Sequence, residues 1–206
     1  LMIGLNVTSL YTSIRHDDGI SAVRHFLRAR SLNFFFHTEM FVEMTLYCLR
    51  NNYFVFDGLH YKQLQGVAMG KCFAPNLANL LMGLWEESVV YQMDEFNCHV
   101  LFWVRYIDDL FILWHGSREL ATTFVSKLNK NCYNLKFTHT IRNTKLIFLD
   151  TKVMMVGNTL ATSLYRKDTV GNTLLNAKSS HPLKLIQSIP YGEFIRARRN
   201  CSGDTE

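Results

Sequence analysis

The chain has 206 residues, 48% of them hydrophobic and 13% aromatic; this composition indicates one well-packed globular domain and excludes a disordered protein. The formal net charge is +5, which keeps nucleic acid among the candidate partners. No apolar run reaches the roughly 18 residues that a membrane helix needs, and no secretory leader is visible. We therefore expect an intracellular protein without a membrane partner.

The five cysteines are odd in number and widely spaced, and no two of them form a C-x-x-C motif. Free thiols of this kind are typical of a reduced, intracellular protein. The eight histidines do not combine with the cysteines at zinc-binding spacing, so we expect no zinc site.

The first half of the chain mixes short strands and helices. Residues 2–7 predict a short buried strand, and the stretch HDDGISAVRHFLRAR predicts a helix with Asp17 as its N-cap. A second helix is predicted to start near Thr38, with large residues on one side: Met40, Phe41, Met44 and Tyr47. The runs YFVF and LHYKQ predict a β-hairpin, because the pair between them, Asp57-Gly58, is preferred in tight turns.

The second half begins with a glycine-punctuated loop and a long helix whose first turn tolerates Pro75. The stretches HVLFWVRY and LFILWH predict two strands, and Ser117 predicts the start of the next helix. Further strands are predicted from LKFTHTI, KLIFLDTKVMMV and TLATSLY. Beyond them we expect short helical pieces punctuated by Pro182 and Pro190.

Helices and antiparallel strands thus interleave, which favours an α+β fold with helices packed on one face of the sheet. We divide the chain into a domain over residues 1–165 and a small basic, partly helical region over residues 166–206. Against Asp168 and Glu193, this C-terminal region carries seven basic residues: Arg166, Lys167, Lys178, Lys184, Arg196, Arg198 and Arg199. The excess charge indicates either a solvated face or a nucleic-acid interface.

The run RYIDDLFILW places two adjacent carboxylates, Asp108 and Asp109, inside an apolar stretch. Neighbouring side chains of a regular strand point to opposite faces, so both can serve one site only at a hairpin turn. Paired carboxylates suit Mg²⁺ or Mn²⁺, and the alternative is an ordinary solvated turn. The complete Y-x-D-D string that begins at Tyr106 favours the metal site.

The YIDD string resembles the signature of reverse transcriptases, and the resemblance extends along nearly the whole chain. Further motifs of that family occur in order: LNVTSLYTSI, QGVAMG…FAPNLANLLMGLWEE, RYIDDLFILW, LKFT…LIFLDTKV and YRKDT…NTLLNAKSSHP…SIPYGEFIRARRNCS. Together they resemble the reverse transcriptases of Penelope-like retroelements. The last block separates this group from viral and other retroelement enzymes.

The resemblance implies a polymerase palm that performs RNA-directed DNA synthesis by two-metal nucleotidyl transfer. Its cofactor would be Mg²⁺ or Mn²⁺, with Asp108 as the main metal ligand and Asp109 as the supporting carboxylate. Its partners would be an RNA template, a DNA primer and deoxynucleoside triphosphates, and a functional protein would be nuclear. The fingers segment of the family is missing upstream, so we expect the chain to be a piece of a longer reading frame.

The resemblance also assigns roles outside the hairpin. Tyr11 would be a steric gate against a ribonucleotide 2′-hydroxyl, or else a core tyrosine. Gln65 and Gly66 match the loop that contacts the incoming nucleotide and the template, where the glycine would let backbone approach the substrate. Phe148 and Leu149 match the hydrophobic hairpin that grips the primer, or else they belong to the sheet core.

Basic residues complete the implied site. Lys145, with Lys136 behind it, is the candidate for assisting the leaving pyrophosphate. The C-terminal region would form a thumb-like or helix-turn-helix-like unit. It would contact backbone phosphates through Arg166, Lys167, Arg196, Arg198 and Arg199. The three tryptophans are expected in the core.

Asn6 departs from the family pattern, in which the first motif reads LDVTSLY and its aspartate bridges both metals. Asparagine keeps an oxygen but loses the negative charge, a loss that costs orders of magnitude in rate. We therefore expect a weakened or inactive enzyme with Asn6 at the degenerate catalytic position. Two alternatives stay open: a non-catalytic nucleic-acid-binding remnant of such a domain, and a merely structural fragment.

Overall fold

In a computed structural model of the protein, residues 1–30, 35–167, 175–176 and 179–203 are described; Asp168 and Lys178 of the basic region lie outside them. The helices of this part are α1 (Leu10–Ser13), α2 (His16–Arg30), α3 (Phe35–Arg50), α4 (Ala74–Trp85), α5 (Asp94–Asn97), α6 (Arg118–Leu128) and α7 (Leu183–Asn200). A π-helical turn, Glu86–Val90, extends α4. The strands are β1 (Met2–Val7), β2 (Tyr53–Phe56), β3 (Leu59–Lys62), β4 (Val100–Tyr106), β5 (Asp109–Trp114), β6 (Phe137–Arg142), β7 (Lys145–Phe148), β8 (Thr151–Val156) and β9 (Thr159–Leu164). None of the described helices is long and apolar enough to cross a membrane.

Four antiparallel strands form the central sheet in the order β4-β5-β1-β6. Strand β1 lies between β5 and β6, and its register pairs Asn6 with Asp109 on one side and with Thr138 on the other. The sequence of β1, MIGLNV, is apolar on both faces except at Asn6, as expected of a strand that is covered from two sides.

Different elements cover the two faces of this central sheet. One face packs with α2, α4 and α6 in the main core through alternate residues of β1: Ile3, Leu5 and Val7. The other face carries Met2, which packs in a smaller cluster with Phe111, Leu146 and Val153. The helices contribute to the core on one face of the sheet, as the sequence predicts.

A three-stranded sheet, ordered β7-β8-β9, covers the second face. The prediction of a single strand over residues 145–156 is wrong, because the chain reverses at Leu149-Asp150 and β7 pairs with β8. Leu149 has a left-handed φ of 53°. The pair Leu-Asp is not a recognised turn signal. The sequence pattern therefore predicts one long apolar strand where the structure has two.

Among the described residues of the C-terminal part, Leu183–Asn200 form one continuous helix, α7, where the sequence predicts short helical pieces. Pro182 is its N-cap residue, and the helix continues through Pro190, which removes one backbone donor without ending it. The chain beyond the helix is attached to β9, since the Ser202 N–H donates to the Thr162 carbonyl at 2.9 Å.

The predicted hairpin of β2 and β3 is confirmed. Asp57 and Gly58 both have left-handed φ, of 49° and 74°, as a two-residue primed turn requires. Both strands of this hairpin are exposed along their whole length. Four large residues of α3 are exposed as well, because the helix faces the core with Val42 and Leu49: Met40, Phe41, Met44 and Tyr47.

Helix starts agree with the sequence to within a turn. The hydroxyl of Ser117 accepts a hydrogen bond from the Leu120 N–H at 3.2 Å, which confirms the predicted cap of α6. The predicted N-cap role of Asp17 is wrong, because α2 begins at His16 and Asp17 lies in its first turn, where a carboxylate complements the helix dipole. Helix α3 begins before Thr38.

Candidate metal and nucleic-acid site

The two aspartates lie where β4 passes into β5. Asp108 is in the turn and Asp109 is the first residue of β5, so the predicted hairpin turn is confirmed. The other turn residue, Ile107, has φ 55°, an outlier for a β-branched residue that surrounding contacts must hold in place. One such contact is the hydrogen bond from the Val7 N–H to the Asp108 carbonyl, 2.9 Å long.

Asn6 lies directly opposite Asp109 in the sheet. Its Nδ2 donates to Oδ1 of Asp109 at 2.6 Å. Both residues belong to the face that the β7-β8-β9 sheet covers, but Asn6 is exposed and Asp109 only half-buried. A carboxylate at position 6 would repel Asp109 at this distance unless a cation lay between them. In this chain the neutral amide of Asn6 donates a hydrogen bond to the Asp109 carboxylate in place of that repulsion.

Three side chains at the turn offer oxygen to a cation: Asp108, Asp109 and the amide of Asn6. Oxygen donors with two negative charges fit a hard divalent ion such as Mg²⁺ or Mn²⁺. Within the described residues, no group of three or more His, Cys, Asp or Glu comes together. No other element of that part of the chain therefore supplies a third carboxylate.

Arg105, to which the motifs assign no role, supports the β4–β5 turn. Arg105 forms a two-pronged ion pair with Glu86, with both N–O distances 2.9 Å, and Glu86 also accepts from Trp103 Nε1 at 2.8 Å. The remaining Nη1 of Arg105 donates to Asn79 at 2.9 Å and to the Ile107 carbonyl at 3.3 Å. The sequence signal for this buried ion pair is a single cation inside the apolar run VLFWVRY, because a buried charge requires a partner.

The loop after β3 packs its backbone against α1. The Gly66 N–H donates to the Ile14 carbonyl at 2.9 Å. Gly66 has φ 81°, and a Cβ there would lie 2.8 Å from Thr12 Cα, so the close backbone approach is to the chain itself. Tyr11 packs half-buried at the edge of the main core, and Gln65 is exposed. The residues expected to contact the nucleotide thus lie side by side.

A cavity of about 400 Å³ opens beside Asn6 and Asp109, with walls from β1, β6 and β7. Phe148 packs half-buried on Phe111, with ring centroids 5.8 Å apart. Leu149 is exposed at the β7–β8 turn. The cavity is lined by Phe148 and Leu149, which the resemblance assigns to the primer-gripping hairpin, and by Lys145, its candidate for the leaving pyrophosphate.

The predicted phosphate-binding cations divide into two groups. Arg166 pairs with Glu193 at 3.5 Å. Arg196 pairs with Asp150 at 2.9 Å and with Glu193 at 3.3 Å. These pairs join α7 to the three-stranded sheet. Within the described part of the chain, the other predicted cations make no ion pair: Lys167, Arg198 and Arg199.

No protein-family model and no curated protein matches this chain. Solved structures do. Apo telomerase from Candida tropicalis, truncated of its C-terminal domain, matches with a TM-score of 0.57 and 13% identity, over 77% of this chain and 34% of that one. Telomerase from Candida albicans in complex with the TWJ fragment of telomeric RNA matches with a TM-score of 0.60 and 12% identity, over 82% and 31%.

The chain spans about a third of the length of these telomerase structures. At such identities the likeness concerns the fold. The mixed α+β architecture, with antiparallel sheets and helices, is similar in fold to telomerase reverse transcriptase and compatible with a polymerase palm, so the predicted fold class is confirmed.

Proposed function

We propose that the chain is a palm domain of the reverse transcriptase class, built for DNA synthesis on an RNA template and weakened at its metal site. The observation that carries the proposal is the pairing of Asn6 with Asp109, beside Asp108, at the tip of the β4–β5 hairpin. The likeness in fold to telomerase, a reverse transcriptase, supports it. The order of the sequence motifs supports the finer assignment to Penelope-like retroelements and hence a nuclear location.

The cofactor of this palm would be Mg²⁺ or Mn²⁺, held by Asp108, Asp109 and the amide oxygen of Asn6. When bound, such ions supply the charge stabilisation on which nucleotidyl transfer depends. The chain's own contribution is position, because the turn is fixed through the Val7 N–H and through Arg105. With two carboxylates in place of three, the affinity for the ions falls.

The partners would be an RNA template, a DNA primer and deoxynucleoside triphosphates. Tyr11, Gln65 and Gly66 would contact the incoming nucleotide, and their neighbouring positions around α1 support this role. Phe148 and Leu149 would grip the primer. The cavity that separates them from the aspartate pair supports this second role.

Basic side chains would contact the phosphates of these partners. Lys145 would face the leaving pyrophosphate. In the C-terminal region the contacts would come from Arg166, Lys167, Arg196, Arg198 and Arg199, by charge and without sequence preference. The ion pairs of Arg166 and Arg196 favour an additional anchoring role for these two residues.

The testing experiment measures Mn²⁺ binding and primer extension on an RNA template with a DNA primer. We expect Asn6→Asp to bind Mn²⁺ at least about tenfold more tightly and to extend the primer by about two orders of magnitude faster. Both gains should disappear in Asn6→Asp/Asp108→Ala. The matched control, Asn158→Asp, adds the same charge at an exposed turn and should change neither quantity.

A second candidate function is nucleic-acid binding without catalysis. The hydrogen bond from Asn6 to Asp109 favours it, because Asp109 has a partner in the absence of any ion. Salt-sensitive binding, with equal and weak Mn²⁺ binding in all four proteins, would establish this second function and contradict the first.

A further inference from the structure

The cavity beside the aspartate pair has a cationic end, which joins the predicted site residue Lys145 to Arg142, a residue without a predicted role. The cavity lies between the β1–β6 face of the central sheet and β7, and its volume of about 400 Å³ is in the range of sites for small ligands. Gly4 and Leu146 line it between its two ends. A Cβ at Gly4 would lie 3.3 Å from Leu146, so this glycine lets β7 approach the sheet.

Arg142 and Lys145 form the cationic end. Arg142 is the last residue of β6 and Lys145 the first of β7, and both line the cavity with exposed side chains. Neither forms an ion pair within the described residues, where the guanidinium of Arg142 contacts only the neighbouring Ile141 carbonyl, at 3.4 Å. Two cations without an acidic partner attract an anion into the cavity.

The opposite end of the cavity carries Asp109. Because β1 pairs Asn6 with Thr138 and Met2 with Arg142, Arg142 lies four residues along the sheet from the aspartate pair, or about 13 Å. Threonine hydroxyls of β6 and apolar side chains of β7 line the space between the two ends. A matching ligand carries an anionic group at one end and a neutral, partly apolar body.

We propose that this cavity binds one nucleotide of a nucleic-acid strand, with its phosphate on Arg142 and Lys145 and its sugar and base along β7. The guanidinium offers a planar pair of donors to phosphate oxygens, and the ammonium adds a point charge. The inference rests on the proposed function in one respect: the strand is the one that the palm holds. It adds Arg142, which the reverse transcriptase resemblance does not assign, and it gives Lys145 a phosphate of the strand as its partner in place of the leaving pyrophosphate. It does not require a metal ion.

The test is a calorimetric titration in the presence of EDTA with three probes: deoxyadenosine 5′-monophosphate, deoxyadenosine and inorganic pyrophosphate. We expect the monophosphate to bind about tenfold more tightly than the nucleoside. Arg142→Met and Lys145→Met should each weaken the monophosphate about tenfold, and Arg142→Lys should weaken it less. Arg50→Met and Lys130→Met remove the same charges at exposed positions outside the cavity and should leave its affinity unchanged.

A short deoxyoligonucleotide distinguishes the sources of the phosphate. Tighter binding of the oligonucleotide than of the monophosphate, weakened by the same two substitutions, assigns the cavity to a strand. Equal affinities of nucleoside and monophosphate, tighter binding of pyrophosphate, or equal losses in Arg50→Met and Arg142→Met would each overturn the proposal. Since EDTA removes divalent ions, nucleotide binding can persist where primer extension fails, so the two proposals fail separately.

Discussion

At the residue scale, an amide in place of a carboxylate at position 6 changes the contact that Asp109 makes. The amide donates to the carboxylate at 2.6 Å, so Asp109 has a hydrogen-bond partner without any ion. Aspartate at position 6 would leave two carboxylates facing each other across the strands, and their repulsion would favour the form with a bound cation. The asparagine therefore favours the ion-free form of the same backbone and reduces the metal affinity that catalysis requires.

Gly66 carries the clearest steric prediction at this scale. Its φ is 81°, and a Cβ would lie 2.8 Å from Thr12 Cα and 2.9 Å from the Tyr11 carbonyl oxygen. Because these neighbours are backbone atoms that cannot move aside, Gly66→Ala should lower the free energy of unfolding by about 2 to 4 kcal/mol. Urea unfolding followed by tryptophan fluorescence measures this difference.

Gly58→Ala is the matched control for Gly66→Ala. Gly58 also has a left-handed φ, 74°, but nothing lies within 4 Å of the point that its Cβ would occupy, so only backbone strain of about 1 kcal/mol is expected. Equal losses in the two variants would contradict the close packing of the Gly66 loop on α1.

At the scale of elements, the two hairpins of the apolar strands differ in how far the sequence predicts them. The β4–β5 turn is recognisable because Asp108 and Asp109 interrupt an apolar run, and a buried strand does not accept two charges. The β7–β8 turn carries only Leu149-Asp150, and a single acid in an apolar stretch reads as an exposed strand position. Whether such an acid lies in a turn or at an exposed strand position depends on tertiary contacts, which the local sequence pattern does not contain.

The Arg105–Glu86 ion pair joins the π-helical extension of α4 to the β4–β5 turn. It allows a prediction at the scale of elements. The two side chains are only 14% and 9% exposed, so removing one partner leaves a charge that water cannot reach. Arg105→Met should lower the free energy of unfolding by about 3 to 5 kcal/mol. In Arg105→Met/Glu86→Gln the loss should be smaller, because the neutral amide still accepts from Trp103 and no charge stays unpaired.

A double-mutant cycle with Glu86→Gln measures the coupling between the two side chains. Independent effects, with a coupling energy near zero, would mean that the pair does not support the turn. Mn²⁺ titration of the same variants separates support of the turn from stability, since a folded Arg105 variant with weakened Mn²⁺ binding has a displaced aspartate pair.

At the scale of the whole molecule, the motif order predicts which residues come together, and the packing of sheets decides what else joins them. Asn6 belongs to a strand that the sequence predicts and Asp109 directly precedes another, and their pairing follows from the fold. Arg142 and Lys145 line the same cavity because β7 packs across β1, and the turn that follows β7, Leu149-Asp150, carries no sequence signal. The exposure of α3 and of the β2–β3 hairpin could not be predicted for a similar reason. Periodicity indicates which residues share a face, but it does not indicate which element packs against that face.

The basic C-terminal region allows a prediction for the whole chain. Arg198 and Arg199 lie exposed at the end of α7, whereas Arg196 is engaged by Asp150 and Glu193. Between about 50 and 200 mM salt, Arg198→Gln/Arg199→Gln should weaken binding of an RNA–DNA duplex and reduce the slope of log K against log salt by about 1 to 2. Arg196→Gln should chiefly lower thermal stability. Fluorescence anisotropy with a labelled duplex measures the slope. An equal change of slope in Arg196→Gln would show that its ion pairs open to release the cation for phosphate.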